Sequence, residues 1–292
     1  MMQQKRRILV TGAESQLGKV LRMNPDVKEQ FEIVYKNRYT LDITDKTAVK
    51  NFFKKNQPFD YCLNFAAYTN VNQAEIDKKK CFAVNVKGVA NLAKAAKKHD
   101  FTLINFSSDY VFDGRKNKPY TENDMPKPLN VYGESKLLGE QIIQQYLKKY
   151  VIIRTSWLYS KFNRNFVKTV LSLSQTQRKL KLVNDQIGTP TYADDLVDFL
   201  VFLLTTIEQN PKKNYYGMYH FSNKGKASWY DFGLKILEYA GIDKKIKPID
   251  TARFSSSVKR PAYSVLSKNK IEQTFDYKPR KWQHALKDFF DI

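Results

Sequence analysis

The residues best placed to do chemistry lie in the run VYGESKLLGE, Val131 to Glu140, which carries Tyr132 and Lys136. A spacing of four on a helix puts both side chains on one face. An ammonium beside a phenol favours the phenolate, so it lowers the phenol's affinity for its proton. A tyrosine, with an ordinary pKa of about 10, then becomes usable as an acid or base near neutrality. Upstream, a predicted strand ends in Ser107-Ser108. A hydroxyl at the carboxyl end of a strand in a parallel sheet is where ligand chemistry is expected. A second group is the loop TGAESQLG, Thr11 to Gly18, directly after the first apolar run. A glycine-bearing strand-to-helix turn lets backbone amides approach a pyrophosphate, and the amino end of the helix favours its charge. Ser15 stands where such loops often carry a middle glycine, and serine is small enough for close approach. Ser108, Tyr132 and Lys136 together suit proton transfer beside a bound dinucleotide.

The second strand bears on which dinucleotide that is. An acidic residue at its end would hold the ribose hydroxyls of NAD. Glu32 falls at the start of that strand, too early, and the end reads Lys36-Asn37-Arg38. Two cations there suit the additional phosphate of NADP. Asp42, in LDITD, is placed to contact the adenine end.

These residues need a scaffold, and the first half of the chain supplies one. Apolar runs at Arg7 to Thr11, Phe31 to Lys36, Tyr61 to Phe65, Phe101 to Phe106 and Tyr150 to Thr155 read as strands covered on both faces. Helical patterns alternate with them at Gln16 to Met23, Asp45 to Lys55 and Cys81 to Lys98. The alternation predicts an α/β fold, a Rossmann-type doubly wound parallel sheet. Beyond residue 156 the pattern loosens. Helices are expected at Asn165 to Ser174, Asp194 to Thr206, Ser228 to Ala240 and Trp282 to Phe290, with strands at Leu180 to Val183 and Gly217 to Phe221. Residues 1–156, completed by roughly 186–222, are read as the dinucleotide-binding domain. Residues 157–185 and 223–292 are read as a smaller C-terminal substrate-binding lobe.

Composition narrows the function classes. Hydrophobic residues make up 42% of the 292 and aromatics 14%, which argues against disorder. No apolar run approaches the roughly 20 residues of a membrane span, and Ile8 to Val10 is too short for a signal peptide. Cys62 and Cys81 lack zinc-like spacing and read as reduced core thiols of a cytoplasmic protein. The net charge of +21 favours anionic partners. The lysines, however, come as small groups such as Lys78 to Lys80 and Lys97-Lys98, not as a basic stripe with interleaved aromatics. Nucleic-acid binding is therefore not expected.

At this point a resemblance becomes specific. The blocks TGAESQLG, LDITD, NFAAYTNVNQAE, FSSDYVFDG, PLNVYGESKLLGE, RTSWLYS, NDQIGTPTYADDL and RPAYS run in order from residue 11 to residue 264. They resemble the dTDP-4-dehydrorhamnose reductases, within the extended short-chain dehydrogenases. The resemblance implies Ser108, Tyr132 and Lys136 as the catalytic set. It implies Gly12, Ser15, Gln16, Leu17, Asp42, Ile43, Ala66, Ala67 and Tyr68, beside Arg38 and Lys136, as cofactor contacts. Tyr110 and Trp157 match residues lining the sugar pocket, and Arg260 resembles one near the nucleotide diphosphate. The expected cofactor is NADPH, with NADH as the alternative. The expected partner is dTDP-4-dehydro-L-rhamnose or a similar nucleotide sugar, bound by a monomer or homodimer. Some members are described as dimers joined through magnesium and glutamates. The matching first-helix position is Val20 here, so no metal is expected. The block commonly written Val-Asp-x-Ala-Glu has Asn72 in place of its aspartate. Other readings stay open: a non-catalytic subunit like the regulator of eukaryotic methionine adenosyltransferase, which shares the wording SSDYVFDG, or another nucleotide-sugar reductase or epimerase.

Overall fold

The computed structural model describes residues 5–56, 58–253 and 258–292. Six strands form the central sheet: β1 (Arg6–Thr11), β2 (Phe31–Lys36), β3 (Tyr61–Asn64), β4 (Thr102–Ser108), β5 (Tyr150–Thr155) and β6 (Gly217–His220). Their order is β6-β5-β4-β3-β1-β2 and every pairing is parallel. Successive strand residues point to opposite faces, and both faces are buried here. Ile8, Val10, Leu63, Ile104 and Val151 feed one core, with Leu17, Val20 and Leu21 of helix α1 (Gln16–Met23) over them. Leu9, Cys62, Leu103 and Ile152 feed the other, covered by Val49, Phe53, Leu92 and Ile143. That double covering is why the strands read as continuous apolar runs. The chain steps from β1 to β2 on one side, then returns across β1 to β3. The switch opens a crevice at the carboxyl ends of β1 and β3, the usual ligand site of such sheets.

The fourth strand ends in Ser107-Ser108 as expected, both residues staying paired with Arg154 and Thr155 of β5. The helix expected over Cys81 to Lys98 is present but not regular: helical turns at Lys78–Phe82 pass through a π-turn at Ala83–Gly88 into α2 (Val89–His99). The widened turn seats the buried Asn85 side chain. Its Oδ1 accepts from Tyr68 N at 2.9 Å, and its Nδ2 donates to Tyr68 O at 3.0 Å and Ser135 Oγ at 2.9 Å. Asn85 thereby ties the loop after β3 to helix α3 (Val131–Tyr146), which carries Tyr132 and Lys136.

Later segments form a second core, with Tyr159, Val167, Leu180, Phe232, Ile236, Trp282 and Leu286 at its centre. Within it, Leu180–Val183 pairs in parallel with Ile246–Ile249. Periodicity missed the latter strand, whose Pro248 cannot donate to a ladder. Among the described residues no helix is long and apolar enough to cross a membrane.

Candidate active site

A cavity of about 710 Å³ lies over the carboxyl ends of the central strands. At one end is the turn after β1. Gly12 has φ +65, and a Cβ there would fall 2.4 Å from Ala66 N, so only glycine lets this turn meet the loop after β3. Ser15, in place of a glycine, caps α1: its Oγ accepts from Gly18 N at 3.1 Å. Gln16 reaches into the second half of the chain, its Oε1 accepting from Ser160 Oγ at 2.8 Å. Gly12, Ser15, Gln16 and Leu17 all line the cavity, as do Ala66, Ala67 and Tyr68.

Arg38, Asp42 and Ile43 line the same end. The Asp42 carboxylate accepts from Thr44 N and Oγ1 at 2.9 and 2.7 Å and stands 3.7 Å from Arg38 Nε. Burial alone would raise its pKa, but those bonds and the guanidinium hold it below its usual value. Glu32 is turned away, paired with Arg7 at 2.7 Å. Lys36 does not extend to this end freely; its ammonium sits 5.5 Å over the Phe52 ring.

Ser108, Tyr132 and Lys136 all line this cavity, and Ser108 hydrogen-bonds Tyr132. Ser108 Oγ donates to Asp109 Oδ1 at 3.0 Å and accepts from Tyr110 N at 3.1 Å. Burial raises the Tyr132 phenol well above its ordinary value, and a hydrogen bond with Ser108 opposes the rise. Burial likewise pushes the Lys136 ammonium down to about 8, against the Glu140 carboxylate one turn along. The expectation that Lys136 brings the phenol near neutrality is therefore corrected: desolvation dominates at Tyr132, and the influence that opposes it comes from Ser108. Glu140 is itself gripped by Arg154, with Nε to Oε1 at 2.8 Å and Nη2 to Oε2 at 2.6 Å, and both side chains are buried.

Tyr110 and Trp157 also face the cavity. Arg260 does not line it. Its guanidinium donates to Asn72 Oδ1 at 2.6 Å and Val258 O at 3.2 Å, and it approaches the Tyr110 phenol. Asn72 thus keeps a bond to Arg260 without the charge of an aspartate. Among the cavity residues that sequence reasoning missed, the ones with the most chemistry are Lys80, Asp109, Arg164 and Trp229. Lys80 was hidden in a lysine run that reads as a solvated face. Asp109 is fully buried, with no hydrogen-bond partner for its Oδ2 among the described residues, and burial pushes its carboxyl up to about 7 against the lowering influence of Ser264 and Ser108. Its place beside Ser108 was the available signal.

The donor set fits a dinucleotide. A close-approach glycine and a helix amino end suit a pyrophosphate, while Arg38, Lys80, Lys136 and Arg164 give the wall a cationic lining. Residues 6–292 match the family described as RmlD substrate binding domain. The dTDP-4-dehydrorhamnose reductase of Aggregatibacter actinomycetemcomitans is 39% identical over 288 residues, spanning 97% of each chain. The solved structure of dTDP-4-dehydrorhamnose reductase from Bacillus anthracis, in complex with NADP, superposes with a TM-score of 0.90. It shares 36% identity and covers 98% of this chain and 99% of its own. That of the Clostridium acetobutylicum dTDP-4-dehydrorhamnose reductase gives 0.91 at 38% identity, covering 98% of both chains.

Proposed function

The chain belongs to the RmlD substrate binding domain family, and on that premise we propose that it reduces the 4-keto group of dTDP-4-dehydro-L-rhamnose to dTDP-L-rhamnose with NADPH. The observation that carries the reading is the meeting of Ser108, Tyr132 and Lys136 with the glycine turn in one cavity. Bound NADPH supplies the hydride. Gly12, Ser15, Gln16 and Leu17 hold the pyrophosphate, Arg38 the additional phosphate, and Asp42 and Ile43 the adenosine. Ala66, Ala67, Tyr68 and Lys136 hold the other end. Tyr132 donates its proton to the alkoxide forming at the sugar's C4, and Ser108 orients that oxygen by a hydrogen bond. Tyr110 and Trp157 contact the sugar, and Arg260 lies toward the diphosphate. We assign residues 1–156 with 186–222 to cofactor binding, and 157–185 with 223–292 to the sugar nucleotide. The two free, buried cysteines support a reducing compartment, and we place the reaction in the cytoplasm.

The test is a nicotinamide absorbance assay of purified protein with dTDP-4-dehydrorhamnose, run with NADPH and NADH in parallel. Tyr132→Phe should keep NADPH affinity and lose about 10²- to 10⁴-fold in turnover, the usual worth of general acid catalysis. Near-wild-type turnover in that variant refutes the assignment of Tyr132, and stable NADPH with wild-type protein refutes the reductase reading altogether.

A further inference from the structure

Trp157 follows β5 and has φ +49, a left-handed conformation that a bulky aromatic residue rarely adopts. Its indole lies flat on Trp229, with ring centroids 3.4 Å apart and planes within 7°. Aromatic quadrupoles favour offset or edge-on pairs over such a sandwich, so the surroundings impose it. Gly188 backs the Trp157 ring, where a Cβ would fall 2.5 Å from Cε2. Phe166 leans on Trp229 at 4.5 Å, and Gln186 Oε1 accepts from Trp229 Nε1 at 3.2 Å. Trp229 opens the helix Trp229–Tyr239, whose start is fixed by the capping box of Ser228 and Asp231. One indole thus comes from the end of the central sheet and the other from the second core, and both line the cavity. A strained residue held by an imposed stack at a ligand cavity points to function.

We propose that Trp229 is a positioning and specificity residue for the sugar: it holds the Trp157 indole flat as an apolar wall against the pyranose ring. The proposal rests on the reductase reading. With Trp229 Nε1 committed to Gln186 and one face of each indole taken up by the stack, the pair presents mainly ring carbon, which takes the C–H face and methyl group of a 6-deoxysugar in preference to a hydroxyl. Affinity for the sugar then depends on how the second core seats Trp229.

The test uses Trp229→Ala and Trp229→Phe with NADPH and dTDP-4-dehydrorhamnose. Two stacked indoles give an exciton couplet in the far-ultraviolet circular dichroism, and both variants should lose it. In Trp229→Ala the KM for the sugar nucleotide should rise about tenfold, the effect falling on KM more than on kcat. Trp229→Phe, which restores a ring to stack on, should bring KM back to within about threefold of wild type. NADPH affinity should stay within about twofold throughout. An unchanged sugar KM in Trp229→Ala overturns the proposal, as does an equal loss of sugar and NADPH affinity. Should Trp229→Ala not fold, Gly188→Ala, which drives a Cβ into Trp157, should show the same split, and an unchanged sugar KM there overturns the proposal too. Lack of turnover in wild type removes the reductase reading and this inference with it. Wild-type turnover with an indifferent Trp229→Ala removes this inference alone.

Discussion

The pair Arg154–Glu140 lies behind the proposed active site and allows a quantitative prediction. The two side chains are 2% and 1% exposed and share two hydrogen bonds of 2.8 and 2.6 Å. Beyond this pair the nearest opposite charges are not in ion-pair contact: Lys136 acts on Glu140 from one turn away, and Glu122 acts on Arg154 from a distance. The Phe112 ring stands 5.0 Å from the guanidinium carbon, and His220, 3.4 Å from Nη1, is held neutral because burial and Arg154 itself push its pKa far down. Arg154→Met therefore leaves a buried carboxylate, and Glu140→Met a buried guanidinium. Each single change should cost about 3 to 5 kcal/mol. For 292 residues the unfolding entropy is about 0.6 kcal/mol/K, so a loss of about 4 kcal/mol lowers Tm by roughly 6 to 7 °C. The double variant, which removes both charges, should fall within about 1 kcal/mol of wild type. Denaturant unfolding of the four proteins closes the cycle. If the double variant loses the sum of the two singles, the pair is not the coupled unit described here. The folded double variant also tests function. Glu140 is the carboxylate that opposes burial at Lys136, so its loss should move the alkaline limit of activity to lower pH.

Three further outcomes follow from the site. Lys136, pushed down to about 8, is charged below that pH and neutral above it, so kcat/KM and NADPH affinity should fall as pH rises through about 8; a profile flat across that range contradicts the assigned role. Arg38→Ala should weaken NADPH by about 10- to 100-fold, the worth of a hydrogen bond to a charged group, and leave NADH unchanged; equal effects on both cofactors, read from KM values, would remove Arg38 from the phosphate site. Ser108→Ala takes a hydrogen bond from Tyr132, Asp109 and Tyr110 and should cut kcat about 10- to 100-fold. Ser108→Thr should restore most of it, and an unaffected kcat in the alanine variant refutes the role.

What the sequence made legible was whatever depends on local period and spacing. Uninterrupted apolar runs marked strands β1 to β5 because both faces of the sheet are covered. A spacing of four placed Tyr132 and Lys136 on one helical face, and the turn from Thr11 to Gly18 declared itself by its position after β1. What stayed hidden depends on contacts between distant segments. The π-turn exists to seat Asn85 against Tyr68 and Ser135, and no property of residues 83–88 announces those partners. Trp229 reads as an ordinary helix start until Trp157 is laid on it. Arg154 looks like a polar interruption in an apolar strand until Glu140 meets it.

The correction at Tyr132 bears on the direction of the reaction. A phenol brought near neutrality would serve equally as acid or base, which is what spacing alone implied. Burial instead raises its proton affinity, so the phenol stays loaded at neutral pH and yields its proton only to a stronger base beside it. A ketone oxygen is not such a base, whereas an alkoxide is. Proton transfer is then confined to the moment when charge builds at the sugar's C4, which suits reduction better than oxidation. The phenolate left behind must be tolerated in a site that disfavours charge. In the roles proposed above, Ser108 would bond to it, and Lys136, still charged below about 8, would supply the cation that burial otherwise denies. Desolvation and the triad therefore act in opposite directions on one proton: the first sets when it leaves, the second makes its departure affordable.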